Sequence, residues 1–452
     1  MANEYIRRNI DGELLAWKSD EGRRVLLLRG ARQVGKSSSV RKLGESFQHY
    51  LEVNFEKEER ARGLFSGDLH VKDICTDLFA MFGKPIIPGK TLVFFDEIQN
   101  CPRAITALRY FYEDYPELHV IAAGSLLEFA LRALPSFGVG RISPRYMYPL
   151  SYSEFLNACG RGMLWEAVCK ASPENPLPEP HHRMCLDYLK KFLLLGGMPA
   201  VVADYLKNER IHDTKKVLKE LMDTYRSDFE KYRAEVPGLQ VAAVFKAAAD
   251  QSGGRFNHAK VEQLSYRQVR EGLDVLQMAG LLIPVTHASA NGIPLGGQIN
   301  PKKIKYLMLD TGIFQSQAGL ELSDILLGDE VTLINKGTIA EQFVGLELKK
   351  ALADTFQDDL YFWSREKPGS NAEVDYVVQK GAKIIPIEVK SGSNGKMQSM
   401  HIYLKEKNAE FGVRTSLENF STYDKIKVYP LYAIGNLVRG LPGDTPEISG
   451  YF

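Results

Sequence analysis

Gly30-Ala31-Arg32-Gln33-Val34-Gly35-Lys36-Ser37, entered from Val25-Leu26-Leu27-Leu28-Arg29 and left through Ser38-Ser39-Val40-Arg41-Lys42-Leu43, decides the reading of this chain. The spelling is G-x-x-x-x-G-K-S, and its context is an apolar run, a loop and a segment able to be helical. Val25 to Leu28 read as a buried parallel strand, apolar at every position because helices cover both faces. Gly30 and Gly35 let the backbone curl so that successive N–H groups converge on phosphate oxygens. A helix starting near Lys36 adds its positive end. The expected cradle for ATP therefore runs through Gly30, Ala31, Arg32, Gln33, Val34, Gly35, Lys36, Ser37 and Ser38. Lys36 is expected at the β- and γ-phosphates, and the Ser37 hydroxyl on Mg²⁺.

Bulk properties narrow the class. At 452 residues the chain predicts two to four domains, and 44% hydrophobic with 25% charged residues is globular. A formal net charge of +1 leaves any nucleic-acid contact to local patches. Five cysteines without a C-x-x-C pair fit a reducing cytoplasm and exclude a zinc site of that type. No signal peptide and no membrane-spanning run is legible, so no membrane partner is expected.

Downstream of the loop, His49 to Phe55 alternates like a second strand, and Leu69, Ile74, Leu78 and Phe79 share a helix face that Gly83 and Pro85 end. Thr91-Leu92-Val93-Phe94-Phe95-Asp96-Glu97-Ile98-Gln99 reads as a buried strand with two carboxylates at its C-terminal tip, where ligands of α/β sheets sit. Asp96 is expected to hold Mg²⁺, and Glu97 to orient and deprotonate the attacking water. Leu118 to Ser125 is a further strand, and Ser125 is either a γ-phosphate sensor or the N-cap of a helix over 126–134.

These stretches, with Gly140-Arg141 and Tyr148-Pro149-Leu150-Ser151-Tyr152-Ser153-Glu154-Phe155, resemble a bacterial and archaeal family of AAA+-like P-loop ATPases. In that family a C-terminal domain of uncertain function follows the ATPase. The resemblance implies that Arg141 acts on the γ-phosphate, in cis or from a neighbouring subunit, with Arg132 and Arg145 as competitors.

Residues 156–240 are helical in period, with Pro173 to His182 as an exposed linker and Leu193 to Pro199 as a helix-breaking turn. From Phe256 the pattern is that of a winged helix. Two short helices precede a hairpin from 281–286 and 297–300, and Arg267, Gln268 and Arg270 lie on the exposed face beside Glu271 and Asp274. Gly337 to Leu348 opens an amphipathic helix, Tyr361-Phe362-Trp363 is a strand, and Asp375, Glu388 and Lys390 follow as D-x(12)-E-x-K, the spelling of PD-(D/E)XK nucleases. Two hard carboxylates there would hold Mg²⁺ or Mn²⁺ on a scissile phosphate, with Lys390 steadying the nucleophile. Glu341 would complete the site as that superfamily's helix acid often does, and Glu373 contributes or faces solvent. Val374 departs from the proline of the superfamily name.

The sequence thus predicts an α/β chain in four parts: a P-loop AAA+-like core over 1–155, a helical region over 156–240, a winged-helix-like module over 241–305 and a PD-(D/E)XK nuclease-like domain over 306–452. Two functions fit. One is an ATPase coupled to a nuclease-like domain acting on DNA. The other is an ATP-driven switch whose C-terminal domain binds a protein or nucleic-acid partner, or self-associates, without cleavage.

Overall fold

Val25 to Leu28 are buried at every position because they lie inside a parallel sheet. The computed structural model describes residues 5–133, 140–232, 236–320, 337–353, 359–367, 369–390 and 397–439. They divide into two units, the first built on the chain up to Pro149 and the second on the chain from Leu150.

The first unit carries β1 (Val25–Arg29), β2 (His49–Asn54), β3 (Thr91–Asp96), β4 (His119–Ala123) and β5 (Ile142–Tyr146). All neighbours run parallel in the order β2-β3-β4-β1-β5. Successive side chains alternate between faces. Val25, Leu27, Val93 and Phe95 join one core with Leu78, Ile105, Leu108 and Phe111 from the helices Val71–Phe82 and Pro102–Asp114. Phe55, Phe65 and Phe95 meet there with ring centroids 5.5–5.7 Å apart. The helix Lys36–Gly44 packs on β3 and β4. Leu28 pairs with Ala123 and Phe95 with Ala122, so β1, β3 and β4 end at one edge. β4 inserted between β1 and β3 opens a cleft at that edge between the loop after β1 and the acids after β3.

The second unit carries a mixed sheet of β6 (Leu282–Ala288), β7 (Ile299–Met308), β8 (Leu360–Ser364), β9 (Glu373–Lys380), β10 (Lys383–Val389), β11 (Gly412–Ser416), β12 (Ser421–Tyr423) and β13 (Ile426–Pro430). Its order is β12-β13-β11-β10-β9-β8-β6-β7. The helix Gly337–Leu352 leads into the antiparallel meander β8-β9-β10, and the helix Gln398–Lys407 returns the chain to β11, parallel to β10. Among the described residues no helix is long and apolar enough to cross a membrane.

Two sequence expectations change here. The hairpin predicted as a wing forms, but β6 pairs in parallel with β8 through Val285–Leu360, so a boundary at 305/306 would cut β7. It is the edge of the larger sheet rather than part of a separate module. Leu150 N–H donates to the Gly197 carbonyl at 2.7 Å and Ser151 starts the next helix in a capping box with Glu154, so the second unit begins at Leu150. His182, predicted in an exposed linker, lies in the helix Glu179–Leu195, buried, with Nδ1 2.7 Å from the Tyr432 hydroxyl. Pro180 in the first turn of that helix is the position where proline costs nothing, so the proline run ends in a helix start.

Candidate functional site

Gly30, Gln33 and Gly35 have positive φ of 133°, 63° and 103°, and this alternation curls the loop. At Gly30 a Cβ would stand 2.2 Å from the Met147 carbonyl oxygen, so the loop passes the chain after β5 where only glycine fits. Gly35 sits at the N-cap of the helix Lys36–Gly44, leaving that helix's first N–H groups directed into the loop. Lys36 is buried and its ammonium donates to the Gly30 and Ala31 carbonyls, each at 2.8 Å. Burial pushes its pKa down to about 8 although Glu97 and Asp96 pull it up. An ammonium that has lost water and gained only two carbonyls is well matched to an incoming polyphosphate.

Facing the loop, Ser37 Oγ donates to the Asp96 carboxylate at 3.0 and 3.1 Å, and Asn54 Nδ2 holds the same carboxylate at 3.1 Å. Burial and then the neighbouring Glu97 raise the Asp96 pKa. Two adjacent carboxylates in a half-buried cleft are a standing electrostatic cost that a dication relieves. Ser37 Oγ and the Asp96 carboxylate are two hard oxygens in one place, the donor set Mg²⁺ takes with phosphate oxygens and water. The residues therefore fit a Mg²⁺–nucleotide.

Glu97 leaves the strand at φ 48°, ψ 45°. Its Oε2 accepts from Gln99 Nε2 at 2.5 Å and Ser125 Oγ at 3.1 Å. Ser125 thus meets Glu97 at the tip of β4. Gln99 is packed on Gly124 so closely that a Cβ there would lie 2.1 Å from Gln99 Oε1, which is buried without a hydrogen-bond partner. Asn54 and Gln99 are the two site residues that motif reading gives no role. The signal for both was positional, each being polar at the tip of, or just past, a buried strand.

Arg141 lies elsewhere. Ile142 pairs with Val25 and Tyr146 with Arg29, so Arg141 is at the edge opposite the phosphate loop, roughly 15 Å along the strand. It pairs with Glu113 at 2.6 Å. A role for Arg141 in cis fails on this register. Arg145, opposite Leu28, pairs with Glu13 at 3.2 Å, and Arg132 is exposed on the helix Leu127–Ala133.

In the second unit, Ile387 pairs with Tyr376, and continuing that register by one residue sets Glu388 opposite Asp375 on one face. Glu341 approaches from the helix Gly337–Leu352. The cation among them is one the sequence reading missed: Lys305 on β7, 3% exposed, with Nζ 2.9 Å from Glu341 Oε1 and 2.8 Å from Glu373 Oε1. Arg255 binds the other Glu373 oxygen at 3.0 Å. Asp375 Oδ2 accepts from Val389 N–H at 2.8 Å, and Lys390 pairs with Glu388 Oε1 at 2.7 Å. Glu388 Oε2 is buried without a partner. Burial and the Asp375 charge lift the pKa of Glu341 and of Glu388 to about 7, against the pull of Lys305 on Glu341 and of Lys390 on Glu388. Lys305 is driven down by burial but up, on balance, by Glu341, Asp375 and Glu373.

This arrangement does not fit the Mg²⁺ or Mn²⁺ site that the D-x(12)-E-x-K spacing predicts at Glu341, Asp375 and Glu388. Among the described residues no three acidic, histidine or cysteine side chains group as a ligand set for a metal ion. A lysine ammonium stands in the cluster instead. Ile304-Lys305-Tyr306-Leu307 carried a signal, a lysine at an inward position of an apolar strand. In the candidate winged helix, Gln268 Oε1 accepts from Ser265 N and Oγ, each at 2.9 Å, and Arg267 pairs with Glu271 at 2.9 Å.

Residues 22–156 match an AAA domain family, residues 186–324 a domain of unknown function (DUF8612) and residues 336–434 another (DUF4143). The first unit holds a P-loop, AAA-like nucleotide-binding domain. No curated protein matches the chain. Among solved structures, a Walker-type ATPase of Pyrococcus abyssi matches at 16% identity with a TM-score of 0.43, over 70% of this chain and 97% of that one. A signal-transduction ATPase with numerous domains and a tetratricopeptide-repeat sensor from Pyrococcus horikoshii matches at 13% identity with a TM-score of 0.27, over 79% and 47%. Cdc6p of Pyrobaculum aerophilum matches at 13% identity with a TM-score of 0.26, over 62% and 89%.

Proposed function

We propose that this chain is an ATP-driven switch: its first unit binds and hydrolyses ATP with Mg²⁺, and its second unit engages a protein or nucleic-acid partner without cutting it. The observation that carries the first half is the Ser37–Asp96 contact with Glu97 held beside it, at the sheet edge where the phosphate loop opens. The loop N–H groups and Lys36 bind and orient the polyphosphate, and Ser37 and Asp96 would hold the metal. Mg²⁺, when bound, supplies Lewis-acid stabilisation of charge on the phosphoryl oxygens. Asn54 fixes the Asp96 carboxylate. Gln99 and Ser125 fix one Glu97 oxygen, leaving Oε1 to take the proton of the attacking water. Arg141, if it serves the γ-phosphate, serves that of a neighbouring copy.

The rival reading, a nuclease-like domain cutting DNA at Glu341, Asp375, Glu388 and Lys390, has the gathering of those residues in its favour. Lys305 among them favours the non-cleaving reading. ATP binding by the wild type and Lys36→Ala, with labelled single-stranded, double-stranded and branched DNA incubated in Mg²⁺ or Mn²⁺, tests both halves. The expected result is ATP binding lost in Lys36→Ala and intact DNA throughout. Cleavage that Asp375→Asn abolishes contradicts the second half alone.

A further inference from the structure

The C-terminal carboxylates pose a charge problem. Glu341, Glu373, Asp375 and Glu388 come from one helix and two strands, and like charges so gathered repel unless a cation stands among them. In a divalent-metal site the ion is that cation. Here each carboxylate has a partner from the chain itself. Lys305 bridges Glu341 and Glu373, Arg255 takes the second oxygen of Glu373, the Val389 amide takes Asp375, and Lys390 takes Glu388. Lys305 is the deepest of these cations, and all three acids Glu341, Asp375 and Glu373 act on its charge. Glu388 Oε2 is buried and unbonded.

We propose that Lys305 is a built-in replacement for a divalent cation: its ammonium occupies the cation position of the Glu341–Asp375–Glu388 cluster and keeps metal out. Lys305 is held in place by the sheet. It lies on β7 opposite Val285 of β6, in the stretch from Lys305 to Met308 that is buried at every position. The tether makes its local concentration high against any dissolved ion. A divalent ion would have to displace a monovalent group already bonded at 2.8 and 2.9 Å. This rests on the non-cleaving reading above and deepens it, because it names the residue that closes the site to metal.

The test is Mn²⁺ binding to the nucleotide-free full chain, followed by calorimetry and by the electron paramagnetic resonance signal of free Mn²⁺. Asp375→Asn is the blank that subtracts uptake at the ATP site. The wild type is expected to take up no more Mn²⁺ than Asp375→Asn. Lys305→Met is expected to gain one equivalent, tighter than the wild type by on the order of 100-fold, since a fixed positive charge a few ångströms from the ion is gone. Asp375→Asn in the Lys305→Met background should remove that equivalent. If Lys305→Met folds poorly, Mn²⁺ should raise its melting temperature and leave Lys305→Arg, which keeps the charge, unmoved. Lys305→Met with no added uptake and no Mn²⁺-dependent melting shift overturns the proposal while the non-cleaving reading stands. A wild-type equivalent that Asp375→Asn removes overturns both.

Discussion

Glu97 stands in the left-handed region at φ 48°, where a side chain bearing a Cβ is held at a cost of about 1–3 kcal/mol. Hydrogen bonds to Oε2 hold it there, from Gln99 Nε2 and from the Ser125 hydroxyl and amide. Gln99→Ala removes one of them, worth about 1.4 kcal/mol, so it is expected to lower kcat roughly tenfold while leaving ATP affinity near the wild type. Steady-state phosphate release beside equilibrium ATP binding separates those two effects. Lys36 provides a pH signature. Its pKa is lowered to about 8 by burial, so above that pH the nucleotide-free protein has lost the proton that the phosphates require. Binding is then coupled to proton uptake, and affinity falls as pH rises. ATP affinity should be flat from pH 6.5 to 7.5 and weaken about tenfold by pH 9. In Lys36→Arg, whose charge does not titrate in this range, whatever binding survives should lack that step; titration with a fluorescent ATP analogue reads both.

At the scale of elements, local pattern and tertiary constraint diverge. The strand–loop–helix around Gly30 to Ser37, the acid-tipped β3 and the small-tipped β4 were legible because apolar runs and glycine punctuation specify them locally. Gly30 illustrates the tertiary part. Sequence explains a glycine by loop curvature, whereas the structure adds the Met147 carbonyl 2.2 Å from any Cβ. Gly30→Ala is expected to cost about 3 kcal/mol and to abolish ATP binding, while Gly12→Ala, where a Cβ meets nothing within 4 Å, is near neutral in a denaturant melt. The β6–β7 hairpin was legible as a hairpin, but its membership of the large sheet was not. Pairing of Val285 with Leu360 joins strands far apart in sequence, and periodicity carries no information about such partners. The same limit hid Lys305, whose inward strand position was readable but whose company, Glu341 and Glu373, was not.

At the scale of the whole molecule, the second unit is tied together across long sequence separations. Glu347 accepts from Tyr152 N–H at 3.3 Å and pairs with Lys350 at 3.0 Å, while Lys350 donates to the Leu150 carbonyl at 2.9 Å. Both side chains are less than a tenth exposed, so Glu347→Ala leaves a buried ammonium without its counter-ion. It is expected to destabilise the protein by about 3–5 kcal/mol, and Glu347→Gln with Lys350→Met to recover a large part of that loss in chemical denaturation. This network begins at Leu150, the first residue of the second unit. ATP turnover with Glu97 as base is tested by phosphate release at saturating ATP and Mg²⁺ from the wild type and Glu97→Gln, with bound ATP measured in parallel. Glu97→Gln is expected to hold ATP at wild-type occupancy with its turnover down by 10²–10⁴, on the order expected for loss of a general base. Turnover of Glu97→Gln at the wild-type rate would overturn Glu97 as the base.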